Sequence, residues 1–309
     1  MMKDDFTDKK SISLLWLLIP VVGIFIIAEI LFALNVFSGD KLKYWMTQEY
    51  FFLHANAFFN FLPSRFWSNI THLGDAAILI PILSIFIIKK PKVWFAIIVT
   101  SVIAGTFSLI GKNAFQVPRP AAVLDPQNFV VIGELLTKHN SLPSGHTITI
   151  FAAVFTFLVL LCRFSKTRYT WLWLGMGFSF ATMVGLSRLA VGAHWPIDIL
   201  LGAMLGWVAG VGGAFFYLRI FEHTQPNVKS YVSFIISFAL LCLSLIILSR
   251  GISDPFNGPI YIVSALCGMT SSASILLNHL KDTGKIRFNA FYQPTLGKQL
   301  LRNTTGVSR

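Results

Sequence analysis

Eight residues in three short, widely separated segments of this 309-residue chain carry most of its chemistry. Lys112 and Arg119, the latter followed by Pro120, form the first. Ser144, Gly145 and His146 follow Pro143 in the second. The third is Ser187-Arg188, with His194 and Asp198 shortly after. Together they offer three cations, two imidazoles, a carboxylate and a glycine-bearing helix start, which is the equipment for holding and attacking a phosphoryl group. Lys112, Arg119 and Arg188 match its negative charge, the arginines through planar forks. Ser144 and Gly145 open an apolar run, where backbone N–H groups and the helix dipole favour an anion. Pro143 suits a helix start, and Gly145 lets the backbone approach an oxygen closely.

The two histidines divide the remaining work. In His194-Trp195-Pro196-Ile197-Asp198, Pro196 marks the first helical position and puts Asp198 in the first turn. From there the carboxylate accepts the Nδ1 proton of His194 and leaves Nε2 as a nucleophile. His146, just past Ser144-Gly145, faces the same anion from the other side and suits an acid that protonates the leaving oxygen. Singly, each of these residues also has a structural reading at a membrane edge. A zinc site fits poorly, because no Glu-rich or Cys-rich complement exists and three nearby cations would repel the metal.

The spacings Lys112-x6-Arg119-Pro120, Pro143-Ser144-Gly145-His146 and Ser187-Arg188-x5-His194-x3-Asp198 resemble the three-part signature of the type 2 phosphatidic acid phosphatase (lipid phosphate phosphatase) superfamily. No specified position departs from it, and the similarity covers roughly residues 71 to 218. The resemblance implies a metal-independent, cofactor-free phosphatase with a phosphohistidine intermediate. His194 would be the nucleophile, His146 the acid and then the base for water, and Asp198 the orienter. Lys112, Arg119, Ser144, Gly145 and Arg188 would hold the phosphate oxygens.

Something must bring these segments to one place, and composition points to a bilayer. The chain is 55% hydrophobic and only 12% charged, with a mean hydropathy of +0.68; soluble domains carry about 25% charged residues. Eight apolar runs, 14–37, 72–88, 93–111, 144–162, 170–187, 196–218, 231–249 and 259–278, predict an all-α polytopic bundle of transmembrane helices. The second run is the shortest and has Asp75 near its start. The predicted organisation is a cytoplasmic N-terminus over 1–13, a six-helix core over 14–220, two further spans within 221–280, and a basic cytoplasmic tail over 281–309. The last two spans hold no motif, so a structural or dimerising role is expected, and the oligomeric state stays open. The first run is too long for a cleavable signal and has no small-residue cleavage site after it.

Orientation follows from basic residues. With the N-terminus cytoplasmic, inner segments hold Lys3, Lys9, Lys10, Lys89, Lys90, Lys92, Arg163, Lys166, Arg168, Arg219, Lys229 and six more after residue 279, which is 17 of the 25 bases. The motif residues then all fall on the outer side, near headgroup depth. The net charge of +12 is scattered over loops and a tail, which fits anionic membrane lipids rather than nucleic acid. Short loops and compact size suggest a bacterial cytoplasmic membrane. A lipid phosphate is the expected substrate, since its acyl chains stay in the bilayer while its phosphate meets the cluster. Three alternatives stay open: a phosphotransferase that passes the group to a second lipid such as a glycolipid, a transporter or scramblase that merely binds it, and a phosphatase whose substrate is soluble, such as a sugar phosphate.

Other residues have plainer readings. The aromatic segment from Ser38 to Thr71 predicts an interfacial helix. Cys162, Cys242 and Cys267 lie in apolar runs without ligand spacing. Glu29, within the first span, calls for a structural partner. His72 and Asp75 fit capping or headgroup contacts as well as the site, and His139 reads as a solvated loop residue.

Overall fold

The computed structural model describes residues 14–38, 41–164, 169–221, 230–254 and 256–282, so the predicted N-terminus and most of the tail lie outside it. Among the described residues there are helices and no strands. They are α1 (Leu18–Ala33), α2 (Leu42–Phe59), α3 (Ser64–His72), α4 (Ala76–Leu83), α5 (Phe86–Lys89) and α6 (Pro91–Phe115). After them come α7 (Pro120–Val123), α8 (Gly145–Phe164), α9 (Thr170–Ala190), α10 (Pro196–Phe221), α11 (Ser230–Ser253) and α12 (Gly258–Asp282). Among the described residues, six stretches are long and apolar enough to cross a membrane: Pro91–Val123, Gly145–Cys162, Thr170–Ala190, Pro196–Ile220, Val232–Ser253 and Gly258–Leu280. The chain is a multi-pass, all-α membrane bundle.

The first two expected spans differ from the simple picture. α1 has 16 residues, about 24 Å of helix at 1.5 Å per residue, and the remaining length is supplied by the 3-10 turn Leu14–Leu17 before it. The second run is broken. α3 and the α4–α5 stretch meet at a 70° bend around Leu73-Gly74-Asp75, and a second break follows Pro81. Asp75 caps α4 by accepting from the Ala77 amide at 2.9 Å, the capping role expected of it.

Close helix approach organises the centre. Gly202, Gly206 and Gly210 form a stripe on α10 facing α8. A Cβ at these positions would lie 2.9 Å from Ser144 O, 2.5 Å from Ile148 O and 2.7 Å from Ala152 O. Only glycine lets the two backbones meet so tightly. Thr156 on α8 donates to Thr100 on α6 at 2.9 Å, a polar link among apolar walls. α9 packs on α8, α1 on α10, and α11 and α12 pair with each other and lean on α4. The outer surface is strongly apolar, with Phe25, Val102, Trp171, Phe238 and Ile252 exposed, as lipid-facing helices require.

α2 is a helix, as expected for the aromatic segment, but its two faces differ. Tyr44, Gln48, Phe52 and Asn56, spaced by four, are buried, whereas Met46, Tyr50, Phe51 and Phe58 are exposed. The buried stripe lies across the end of the bundle that carries the motifs. Glu29, expected to have a structural partner, is instead exposed on α1 and makes no ion pair among the described residues; the outward face of its helix puts it out of reach of the interior.

Candidate active site

Four helix ends and one loop build the site. α6 carries Lys112 in its last turn and stops at Gln116, whose left-handed backbone (φ 47°) reverses the chain just beyond it. The loop that follows folds back over the bundle. Ser141 N donates to Val117 O at 3.0 Å, and Trp195 Nε1 donates to Pro118 O at 2.7 Å. Trp195 is fully buried and meets Phe52 edge-on at 5.2 Å, so a rigid apolar cluster lies directly under the polar groups. Pro196 takes the first position of α10, as its missing N–H predicts, and Asp198 falls in the first turn.

His194 and Asp198 are both buried, with His194 Nδ1 3.2 Å from Asp198 Oδ2. The contact expected from their spacing is therefore present. The carboxylate has three further donors: the Tyr44 hydroxyl at 2.6 Å on Oδ1, and on Oδ2 the Ser141 hydroxyl at 2.5 Å and the Trp195 amide at 2.8 Å. An Nδ1–H donating to this carboxylate leaves the Nε2 lone pair facing Arg119, whose Nη1 is 3.4 Å away. Burial above all, then Arg119, Arg188 and Lys112, hold the His194 imidazolium well below its ordinary pKa, so the ring is neutral at pH 7. Burial and then the Asp198 charge push the Tyr44 phenol well above its ordinary value, which keeps it a donor.

The cations surround this pair. Arg119 is buried and braced by Asn140 Oδ1 at 2.9 Å and Ala193 O at 3.1 Å. Arg188, buried in the last turn of α9, donates through Nη1 to Thr71 Oγ1 at 2.5 Å, while its Nε is buried without a partner. Ser144 is buried. Its N–H donates to Asp198 O at 3.0 Å, so that amide is already engaged, contrary to the expectation that it stays open for an anion. The carbonyl of Asp198 reaches it because Gly202 draws α8 and α10 together. A Cβ on Gly145 would lie 3.0 Å from Ser108 Oγ and 3.4 Å from Lys112 Nζ, so glycine leaves the lysine room beside the start of α8. A cavity of about 290 Å³ is lined by Lys112, Gly145, His146, Ser108, Thr149 and Asp75. His146 thus meets it half-buried at the start of α8, packed against Gly74.

All eight residues singled out by spacing converge at one end of the bundle, and none is displaced from it. Four others belong with them. Ser141 and Asn140 sit just ahead of the second motif, near enough in sequence to have drawn notice. Tyr44 and Thr71 had a weaker signal, the polar stripe at intervals of four on α2 and a hydroxyl beside His72. His139 is exposed, as expected for a loop residue. Asp75 and His72 both adjoin the site.

The chain is similar to several known proteins. The undecaprenyl-diphosphatase of Sulfolobus acidocaldarius is 28% identical over 139 residues, 44% of this chain and 62% of that protein. A Bacillus licheniformis protein named bacitracin transport permease protein BcrC is 35% identical over 109 residues, 35% of this chain and 48% of its own. Phosphatidylglycerophosphatase B of Haemophilus influenzae is 28% identical over 173 residues, 42% of this chain and 70% of that protein. The chain thus spans less than two-thirds of the length of each of the first two relatives. A family model, the PAP2 superfamily, matches residues 92–223, the stretch that carries all three motifs. Over that stretch, which is less than half of its length, the chain is similar to the PAP2 superfamily.

Proposed function

We propose that the protein is a lipid phosphate or pyrophosphate phosphatase that works through a phosphohistidine. The observation that carries this reading is the buried His194, fixed at Nδ1 by Asp198 and open at Nε2 toward Arg119. Nε2 attacks phosphorus in line, forming an N–P bond as the bond to the leaving oxygen breaks. His146 gives that oxygen its proton. Water then attacks the phosphohistidine, His146 takes the water's proton, and phosphate departs with His194 restored. Lys112, Arg119 and Arg188 neutralise charge on the equatorial oxygens, each charge-assisted hydrogen bond contributing about 1.5–3 kcal/mol. The cavity beside His146 lies against exposed Leu109 of α6, so a lipid headgroup reaches it while its tails stay with the apolar surface. The names of the Sulfolobus and Haemophilus relatives support the same substrate class. On the charge count, the site opens at the outer face of the cytoplasmic membrane.

A substrate panel on purified protein in detergent tests this. Glycerolipid phosphate, isoprenoid pyrophosphate and sugar phosphate are compared for release of inorganic phosphate, with His194→Ala as blank. The expected result is turnover of a lipid substrate that persists in EDTA, is inhibited by vanadate and falls at least about a thousandfold in the variant. Radiolabel appearing on a second lipid instead of inorganic phosphate establishes the phosphotransferase alternative. The transport name of the Bacillus relative supports a second reading, in which phosphate is bound and moved. That reading requires that purified protein release none from any substrate.

A further inference from the structure

The two helices that follow the family-matched stretch, α11 and α12, lean chiefly on α4 and also touch α3 and α5. Their connecting turn is fastened to α3 by hydrogen bonds. Asn69 donates to Phe256 O at 3.2 Å and accepts from the Ile260 amide at 3.2 Å, and Ser68 bonds to Asn257. One residue further, Tyr261 OH lies 3.2 Å from Nε2 of His72, the last residue of α3, with the rings 5.0 Å apart. His72 Nδ1 is buried and has no hydrogen-bond partner.

The same corner touches the catalytic groups from its other side. Thr71, next to His72, accepts from Arg188 at 2.5 Å. Gly74 lies so close to His146 that an added Cβ would sit 2.7 Å from the histidine's own Cβ. His72 also feels the charges of Arg188 and Asp75. A shift of the corner therefore moves one phosphate cation and the proposed acid together. Small displacements of this kind are costly to reactions that depend on in-line geometry.

We propose that Tyr261 and His72 are positioning residues for the phosphate site, through which the α11–α12 hairpin sets the placement of Arg188 and His146. The inference rests on the phosphatase reading. It assigns the last two helices a part in turnover within one chain, beyond a structural or dimerising role.

Steady-state kinetics of the full-length protein in detergent test it, with the best lipid substrate from the panel. Tyr261→Phe keeps the ring and removes the hydroxyl. It is expected to lower kcat about tenfold while KM stays within about twofold. His72→Gln, whose amide occupies the place of Nε2, retains more turnover than His72→Ala or His72→Asn. The Tyr261→Phe/His72→Ala double variant loses no more than His72→Ala alone, as coupled residues require. Parental kcat in Tyr261→Phe, additive losses in the double variant, or better rescue by Asn than by Gln each overturns the proposal. So does a loss of kcat that simply tracks a lower folded fraction in thermal melts. Equal phosphate release by the parent and His194→Ala overturns the phosphatase reading itself, which separates the two failures.

Discussion

Asp198 accepts from Tyr44, Ser141, the Trp195 amide and His194, and a carboxylate so enclosed cannot rotate away from the imidazole it orients. Tyr44→Phe removes one of these donors and leaves the ring packing intact. We expect kcat to fall about tenfold, with inhibition by vanadate changed little, because the cations that bind the anion are untouched. A kinetic comparison of the two enzymes checks both parts. His194 makes a separate prediction about pH. Its folded-state pKa lies below the ordinary imidazole value, so on acidification the unfolded chain takes up a proton at this position before the folded protein does. The stability this contributes is present above about pH 6.5 and is lost as pH falls below it. Thermal melts at pH 7.5 and pH 5 should therefore show a larger drop for the parent than for His194→Ala. An equal drop in both would mean that the ring is not held neutral. The His194–Asp198 pair was legible because only three residues, including the proline that leads the helix, lie between them. Tyr44 was not, since 154 residues of chain separate it from the carboxylate it contacts.

Among the helices, the tightest approach to backbone at a glycine is that of α10 to α8. Gly206→Ala would set a Cβ 2.5 Å from the Ile148 carbonyl, a backbone atom with no rotamer to yield. The expected cost is about 1–3 kcal/mol, visible as a lower melting temperature in detergent. Gly175→Ala on α9 is the control. Nothing lies within 4 Å of its added methyl, and alanine favours a helix over glycine, so stability should hold or rise. Apolar run length located these long helices well, because each must satisfy its own backbone in lipid. It was least informative over residues 64 to 89, where α3 precedes the run expected over 72–88, the chain bends between His72 and Ala76, and Pro81 lies inside α4.

For the molecule as a whole, the arrangement requires every motif to face one side of the membrane. Lys90 and His139 are exposed at opposite ends of the bundle, the first before α6 and the second in the loop ahead of α8. In a background without Cys162, Cys242 and Cys267, His139→Cys should react with an impermeant thiol reagent from the outer side and Lys90→Cys only after the membrane is opened. Labelling of both from one side would remove the basis for a shared pocket.

Hydrophobic run length was enough to predict a membrane bundle, and motif spacing selected eight residues that lie together at one end of it. Those properties are local: a helix must span hydrocarbon wherever it occurs, and residues four apart meet on any helix. Partnerships between distant segments were decided only by folding. Tyr44 against Asp198, Thr71 against Arg188 and Tyr261 against His72 each join helices whose mutual placement depends on close packing, on glycine contacts and on a bend at Gly74. No spacing within a single helix encodes such a meeting.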